Sequence, residues 1–409
     1  NQWKHYRGGT TTRIWLYNTK SHKVEEIQKP AGGSNDSQPK WMGDDVYFKS
    51  PRNNLFNIKD PEISYNSDEF NYIKNYISNV ETVLYGNNYN NEKNGYKTLI
   101  DIDSFNCPSD GKSFFYKTLD GVNLRIAIWN ETSSKGTILL QSGRTEFIEK
   151  YYEVIQEFVN RGFCVALMDW RGQGLSDRVA KDIRIGHVDN FSDYDSDFEE
   201  VIRKVYQDTC PKPWIALGHS MGGCLVASNA AKNTDLFDAI ILCAPMLSLQ
   251  IPNLIKKLIH VLGFMAKIGL KEKTVARPEW HEDKGWHENP FTENQVTSDP
   301  VRYERTMMLI REHEELAIGG LTINWVYGAL KRTKEMASPG WIKEIKQPIL
   351  LLNATKDKLV NHEENKKICS QSNTVTIEDI DSEHEILMET DLIREQAWNA
   401  IDEFLKKTL

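Results

Sequence analysis

A chain of 409 residues, 40% of them hydrophobic, has room for one large domain with additions and enough apolar side chains for a sizeable core. Its net charge of −8 is spread along the chain, which excludes the basic patch that a nucleic-acid partner needs. No run reaches the ~18 apolar residues expected of a membrane span.

Residues 1–60 alternate short β-type runs (Arg13–Tyr17, Asp45–Phe48) with turn clusters such as Pro30–Asp36. Residues 61–112, rich in Asn, Tyr, Lys and Asp, read as a connector, partly helical at best. From 113 onward strands and amphipathic helices alternate, the pattern of βαβ units. Thr137–Gln141 and Phe163–Asp169 read as buried strands, and between them Tyr152, Ile155, Phe158 and Val159 recur at helical spacing. Phe198, Val201, Ile202 and Val205 do the same before the strand Trp214–Gly218, and the strand Ala239–Cys243 follows one more helix. Residues 246–340 break this rhythm. It resumes with the strand Pro348–Asn353, a helix, the strand Thr374–Glu378 and a final helix carrying Ile393, Ile401 and Phe404. The pattern predicts an α/β fold, a mostly parallel sheet with helices on both faces, built from 113–245 and 341–409. Residues 246–340 would form a helical cap over its C-terminal edge. In Pro252–Leu270, helical spacing puts Leu254, Leu258, Val261, Leu262 and Met265 on one face and Lys256, His260 and Lys267 on the other.

The six cysteines (Cys107, Cys164, Cys210, Cys224, Cys243, Cys369) are scattered without a CxxC pair, several inside apolar runs. That predicts free, mostly buried thiols and a reducing, cytoplasmic setting.

The chemistry centres on Gly218-His219-Ser220-Met221-Gly222, which follows the apolar run Trp214–Leu217 and precedes a helical run, Cys224–Lys232. A strand-to-helix turn this tight excludes flanking side chains and lifts the serine hydroxyl above the sheet. Serine needs a base to take its proton, and the base needs a third group to hold its tautomer. Asp357 follows the strand Pro348–Asn353, and His384 follows Thr374–Glu378, so both emerge at the edge that carries Ser220. Ser220, Asp357 and His384 are therefore the candidate triad. His362 comes five residues after Asp357, which leaves little chain to bring it round. His219 suits a packing role, and Asp379 and Asp381 lie too close to His384 for an unstrained triad. The oxyanion needs two backbone donors. The N–H groups of Met221 and of Arg144, with Gly143 permitting close approach, are the candidates; an ordinary strand-to-helix turn at Ser142–Glu146 is the alternative. The Gly-rich Asp169–Ser176 lacks a P-loop lysine and dinucleotide-binding spacing, and reads as structural. His281 and His287 lack the i,i+4 spacing of a zinc helix, so neither a metal nor another cofactor is expected.

With these residues in hand, 113–409 resembles the lysophospholipase / monoacylglycerol lipase branch of the α/β-hydrolases. The resemblance is carried by Gly143–Tyr151, Asp169–Ser176, Gly218–Gly223 and Ser382–Leu387. The first two segments look closest to bacterial lysophospholipases of the inner-membrane-associated type. The resemblance implies hydrolysis of one acyl ester on a glycerol-based lipid, without a cofactor. Ser142-Gly143 stands where the family carries His-Gly. A basic, amphipathic cap stretch would allow peripheral contact at the inner membrane face, a plain cap helix packed on the core being the alternative. Residues 1–60 resemble something else, a β-propeller blade of the tricorn-protease kind, through Tyr6-Arg7-Gly8-Gly9 and Asp36–Phe48. About one blade is present, and a propeller needs at least four. Two rival functions stay open: a carboxylesterase for small soluble esters, and a non-catalytic binding module.

Overall fold

In the computed structural model the chain divides into two units, Asn1–Val80 and Glu81–Leu409. The structure describes residues 99–409 except 103–104, 251–258, 276–279, 282–284 and 287–289, together with five short strands in the first unit. In that unit Trp15–Tyr17 pairs antiparallel with Val24–Glu26. Ser37–Met42, Asp45–Lys49 and Phe56–Ile58 form a three-stranded antiparallel sheet in chain order. The expected connector lies outside the described residues as far as 98.

The second unit is built on an eight-stranded sheet. Its strands are β1 (Lys112–Lys117), β2 (Asn123–Trp129), β3 (Thr137–Gln141) and β4 (Cys164–Met168), then β5 (Trp214–His219), β6 (Ala239–Cys243), β7 (Ile349–Ala354) and β8 (Val375–Ile380). They lie in the order β1-β2-β4-β3-β5-β6-β7-β8. The pairings β1–β2 and β2–β4 are antiparallel and the rest are parallel. Strands β3 to β7 are buried along their whole length, as expected of parallel strands covered on both faces. This is the predicted fold class, with strand ends shifted by a residue or two. The core starts earlier in the chain than residue 113, since Ile100 and Ile102 are already buried.

Alternation along the strands divides the core in two. Ile126, Ile128 and Leu139 point to one side, where α2 (Ser192–Val201), α3 (Met221–Lys232) and α7 (His362–Cys369) contribute Phe198, Leu225 and Ile368. Ala127, Trp129 and Leu140 point to the other, where α1 (Tyr152–Asn160) and α8 (Asp391–Thr408) contribute Phe158, Trp398 and Phe404. The Phe158 and Trp398 rings meet edge to face at 4.8 Å and join those two helices.

Between β6 and β7 the described residues include α4 (Ile259–Met265), α5 (Pro300–Glu312) and α6 (Ile323–Met336). Helix α5 packs on the body, its Leu309 and Ile310 clustered with Ile100 and Phe147. Helix α6 and the short strand Gly319–Leu321 lie above the sheet edge, and that strand pairs in parallel with Ile185–Gly186 of the core. The outcome for α4 differs from the predicted face. Val261 is 49% exposed and is joined outside by Phe264 (63%) and Ile268 (56%), whereas Leu262 and Met265 are half-buried. The cause is Gly263, the residue α4 buries, which nestles against the Tyr327 ring of α6 and turns the helix about its axis. His260 and Lys267 are exposed as expected, while Leu254, Lys256 and Leu258 lie outside the described residues.

Candidate active site

Strand β5 ends at His219 and α3 begins at Met221, leaving Ser220 alone in the turn. Its φ of 50° and ψ of −115° are rare for a residue with a side chain. The backbone is held from both sides: Ser220 N–H donates to Cys243 O at 3.1 Å, and Ser220 O accepts from Met246 N–H at 2.9 Å. A Cβ on Gly222 would fall 2.2 Å from Gln141 O, so only glycine lets β3 come this close to the elbow.

His384 follows β8 and Asp357 follows β7, and the two meet through His384 Nδ1 and Asp357 Oδ2 at 2.5 Å. A carboxylate accepts, so Nδ1 carries the proton and Nε2 is left as the basic nitrogen. Asp357 Oδ1 accepts from the N–H groups of Leu359 (2.7 Å) and Val360 (3.0 Å). Burial opposes the Asp357 charge, but the His384 bond and charge and these two amides outweigh it and hold the carboxyl below its ordinary range. Ser220 and His384 line one cavity of about 390 Å³, and Met221, Gly143 and Arg144 line it too.

The loop Ser142–Glu146 is tied at several points. Trp170 Nε1 donates to Ser142 O at 2.9 Å, Glu146 Oε2 accepts the Gly143 N–H, and Gln173 bonds the Gly143 and Glu146 carbonyls. The Arg144 guanidinium reaches the cap, donating to Gly320 O at 2.9 Å and lying over the Trp325 ring. Beneath the loop Glu146 accepts from Tyr151 OH at 2.6 Å and pairs with Lys150 at 2.9 Å; Lys150 also pairs with Glu385 at 2.6 Å. Burial works against both carboxylates. The Lys150 charge prevails at Glu146, holding it at about 2, whereas burial prevails at Glu385 and pushes it up.

The other candidates fall elsewhere. His219 is buried beside His384, ring centroids 4.8 Å apart, its Nδ1 3.2 Å from Cys243 O. Burial pulls it down to about 4, so it is neutral near pH 7 and packs rather than relays. His362 opens α7, Asp379 pairs with Lys366 and bonds Asn353, and Asp381 pairs with Lys356 at the surface. His281 and His287 lie outside the described side chains. Among the described residues no group of His, Cys, Asp or Glu is arranged to hold a metal. Sequence reasoning passed over Trp170, Gln173, Glu146 and Lys150. The Glu146–Lys150 pair, at i,i+4 amid apolar and aromatic residues, was a readable signal of a buried ion pair.

The family described as serine aminopeptidase, S33, matches residues 132–391, a span that takes in the elbow, Asp357 and His384. The chain belongs to that family. The chain is similar to lysophospholipase L2 of Escherichia coli K12, 27% identical over 307 residues, or 71% of this chain and 86% of that protein. A monoacylglycerol lipase of Mycolicibacterium smegmatis is 31% identical over 128 residues, 31% of this chain and 43% of its own. Among solved structures, a soluble variant of the Saccharomyces cerevisiae monoglyceride lipase matches with a TM-score of 0.56 at 15% identity, over 78% of this chain and 100% of that one. A carboxyl esterase from Bacillus coagulans gives 0.59 at 19% identity, over 73% and 98%. These two share the fold. The chain is a serine ester hydrolase with the α/β-hydrolase fold.

Proposed function

We propose that the protein hydrolyses a fatty-acyl ester of a lysophospholipid or monoacylglycerol through an acyl-enzyme on Ser220. The observation that carries this reading is the cavity, about 390 Å³, where Leu249, Leu321, Trp325, Val326 and Leu330 share the lining with Ser220 and His384. That volume is near the lower end of ligand sites, ~300–1,000 Å³, and suits one acyl chain. Ser220 attacks the ester carbonyl, His384 Nε2 takes its proton, and Asp357 stabilises the imidazolium. The oxyanion rests on the N–H groups of Met221 and Arg144. His384 returns the proton to the leaving alcohol, then activates the water that frees the fatty acid. The names of the relatives, lysophospholipase L2 and monoacylglycerol lipase, support the same substrate class.

The test is fatty-acid release from lysophosphatidylcholine and monoacylglycerol by wild type and Ser220→Ala. Release by wild type alone is the expected result. Equal release by both removes Ser220 from the mechanism. No release by either, with short p-nitrophenyl esters still cleaved, replaces the lipid reading with a soluble-ester one.

Two finer assignments accompany this reading. The exposed Val261, Phe264 and Ile268 beside Lys267 support contact of the cap (246–340) with a lipid surface. No helix among the described residues is long and apolar enough to cross a membrane. Residues 1–60, read from the sequence as blade-like, carry no part of this chemistry. Proteolysis near residue 80 that leaves esterase activity with the larger fragment is the outcome this requires.

A further inference from the structure

Gln173 takes no part in the proton relay, yet it is 2% exposed and its carboxamide is spent entirely on one loop. Its Nε2 donates to Gly143 O at 2.7 Å and to Glu146 O at 3.1 Å, and its Oε1 accepts from Thr145 N–H at 3.3 Å. That loop runs against the nucleophile, for a Cβ placed on Gly143 would lie 3.2 Å from the Ser220 Cβ.

A trans peptide holds its carbonyl and its N–H pointing in opposite directions within one rigid plane. Among the described residues the cis bond is Lys212–Pro213, so the Gly143–Arg144 bond is trans. Fixing Gly143 O on Gln173 therefore fixes the Arg144 N–H in the opposite direction, away from the carboxamide. The neighbouring peptide is held as well, because Trp170 binds Ser142 O and Glu146 takes the Gly143 N–H. Thr145 N–H also donates to Gln173 Oε1, and past the turn at Thr145, φ 65°, Glu146 O accepts from the same carboxamide. Three consecutive peptide planes, from Ser142 to Thr145, are thus held beside Ser220.

We propose that Gln173 is a positioning residue of the oxyanion hole, clamping the Gly143 carbonyl so that the Arg144 N–H faces the developing oxyanion. This rests on the reading of Ser220 as nucleophile and of Arg144 N–H as donor. An amide is suited to the task because one group offers both donors and an acceptor. A glutamate there could only accept, and a methionine of similar length could do neither.

The test compares wild type, Gln173→Met, Gln173→Glu and Ser220→Ala on a soluble p-nitrophenyl ester, with active sites titrated by a fluorophosphonate. Affinity for an alkyl trifluoromethyl ketone, which adds to Ser220 and carries the oxyanion, is measured alongside. Loss of one oxyanion donor lowers kcat by about 10²–10³-fold, and misdirecting it costs somewhat less. Gln173→Met should lose about 10–100-fold in kcat per titrated site and a similar factor in ketone affinity, with KM within about 3-fold. Gln173→Glu should lose at least as much. A purely structural glutamine would lower the titratable fraction and the melting temperature but leave kcat per titrated site unchanged. That outcome, or a fall in kcat without a fall in ketone affinity, overturns the proposal. If Ser220→Ala stays active, the underlying reading fails. If Ser220→Ala is inactive and both Gln173 variants match wild type, the positioning role alone fails.

Discussion

The candidate site has a floor and a roof of opposite character. The floor comes from loops at the ends of core strands, and its groups are held by short, buried bonds: His384 to Asp357, Asp357 to two amides, and Ser142–Glu146 to Trp170 and Gln173. The roof comes from α6 and the Gly319–Leu321 strand, and it presents Leu321, Trp325, Val326 and Leu330 to the cavity. Polar ties such as Arg144 to Gly320 O and His187 to Thr322 join it to the body, but what it turns toward Ser220 is apolar. Directional bonds suit groups whose placement sets a rate, since an error of an ångström there is costly. Apolar contact is non-directional, and suits a surface that must take chains of differing length.

Substitutions that respect or cross this division should behave very differently. Asp357→Asn keeps the shape of the floor but lets His384 adopt the wrong tautomer, so kcat on a soluble ester should fall about 10⁴-fold with little change in KM. Steady-state kinetics check this, and a loss under tenfold would mean that another acid orients His384. Glu146→Gln should act on stability first. Folding depresses the Glu146 carboxyl to about 2, so its stabilisation is complete above the ordinary carboxylate range and is lost as pH falls toward 2. The variant should therefore be less stable than wild type at pH 7 by about 3–5 kcal/mol, and the two should converge on acidification. Urea unfolding at pH 7 and pH 3 reads both limbs, and a gap that widens in acid would contradict the sign. The smallest effect is expected outside the site. Replacing Val261, Phe264 and Ile268 together by Ser should change soluble-ester kinetics less than about 2-fold, as exposed substitutions usually do. Binding to vesicles of anionic lipid should be lost, and retention in a flotation assay would remove the cap from membrane contact.

What could be read from the sequence depended on the range of the cause. Strands β3 to β7 are unbroken apolar runs, and Ser220, Asp357 and His384 follow three of the predicted strands directly. Position in the chain therefore carried position in space. The antiparallel pair β1–β2 was less visible because its apolar residues, Phe114–Tyr116 and Leu124–Trp129, do not alternate cleanly. Gln173 was passed over because its partner Gly143 lies 30 residues back, and no local pattern marks such a contact. The α4 face was misjudged at Val261 for a related reason. Its apolar residues extend around more than one side, and what selects the buried side is Gly263 against a tyrosine from another helix.

Ser220 stands where the backbone has a positive φ, a conformation glycine enters freely and other residues enter at a cost of about 1–3 kcal/mol. Heat resistance and reactivity therefore pull this one position in opposite directions. A laboratory selection for thermal survival alone would find glycine here an attractive exchange, and would return a sturdier protein without its proposed nucleophile. Any stabilisation of this chain by random mutagenesis must be screened for turnover at every round, because the fold by itself has no reason to keep its serine.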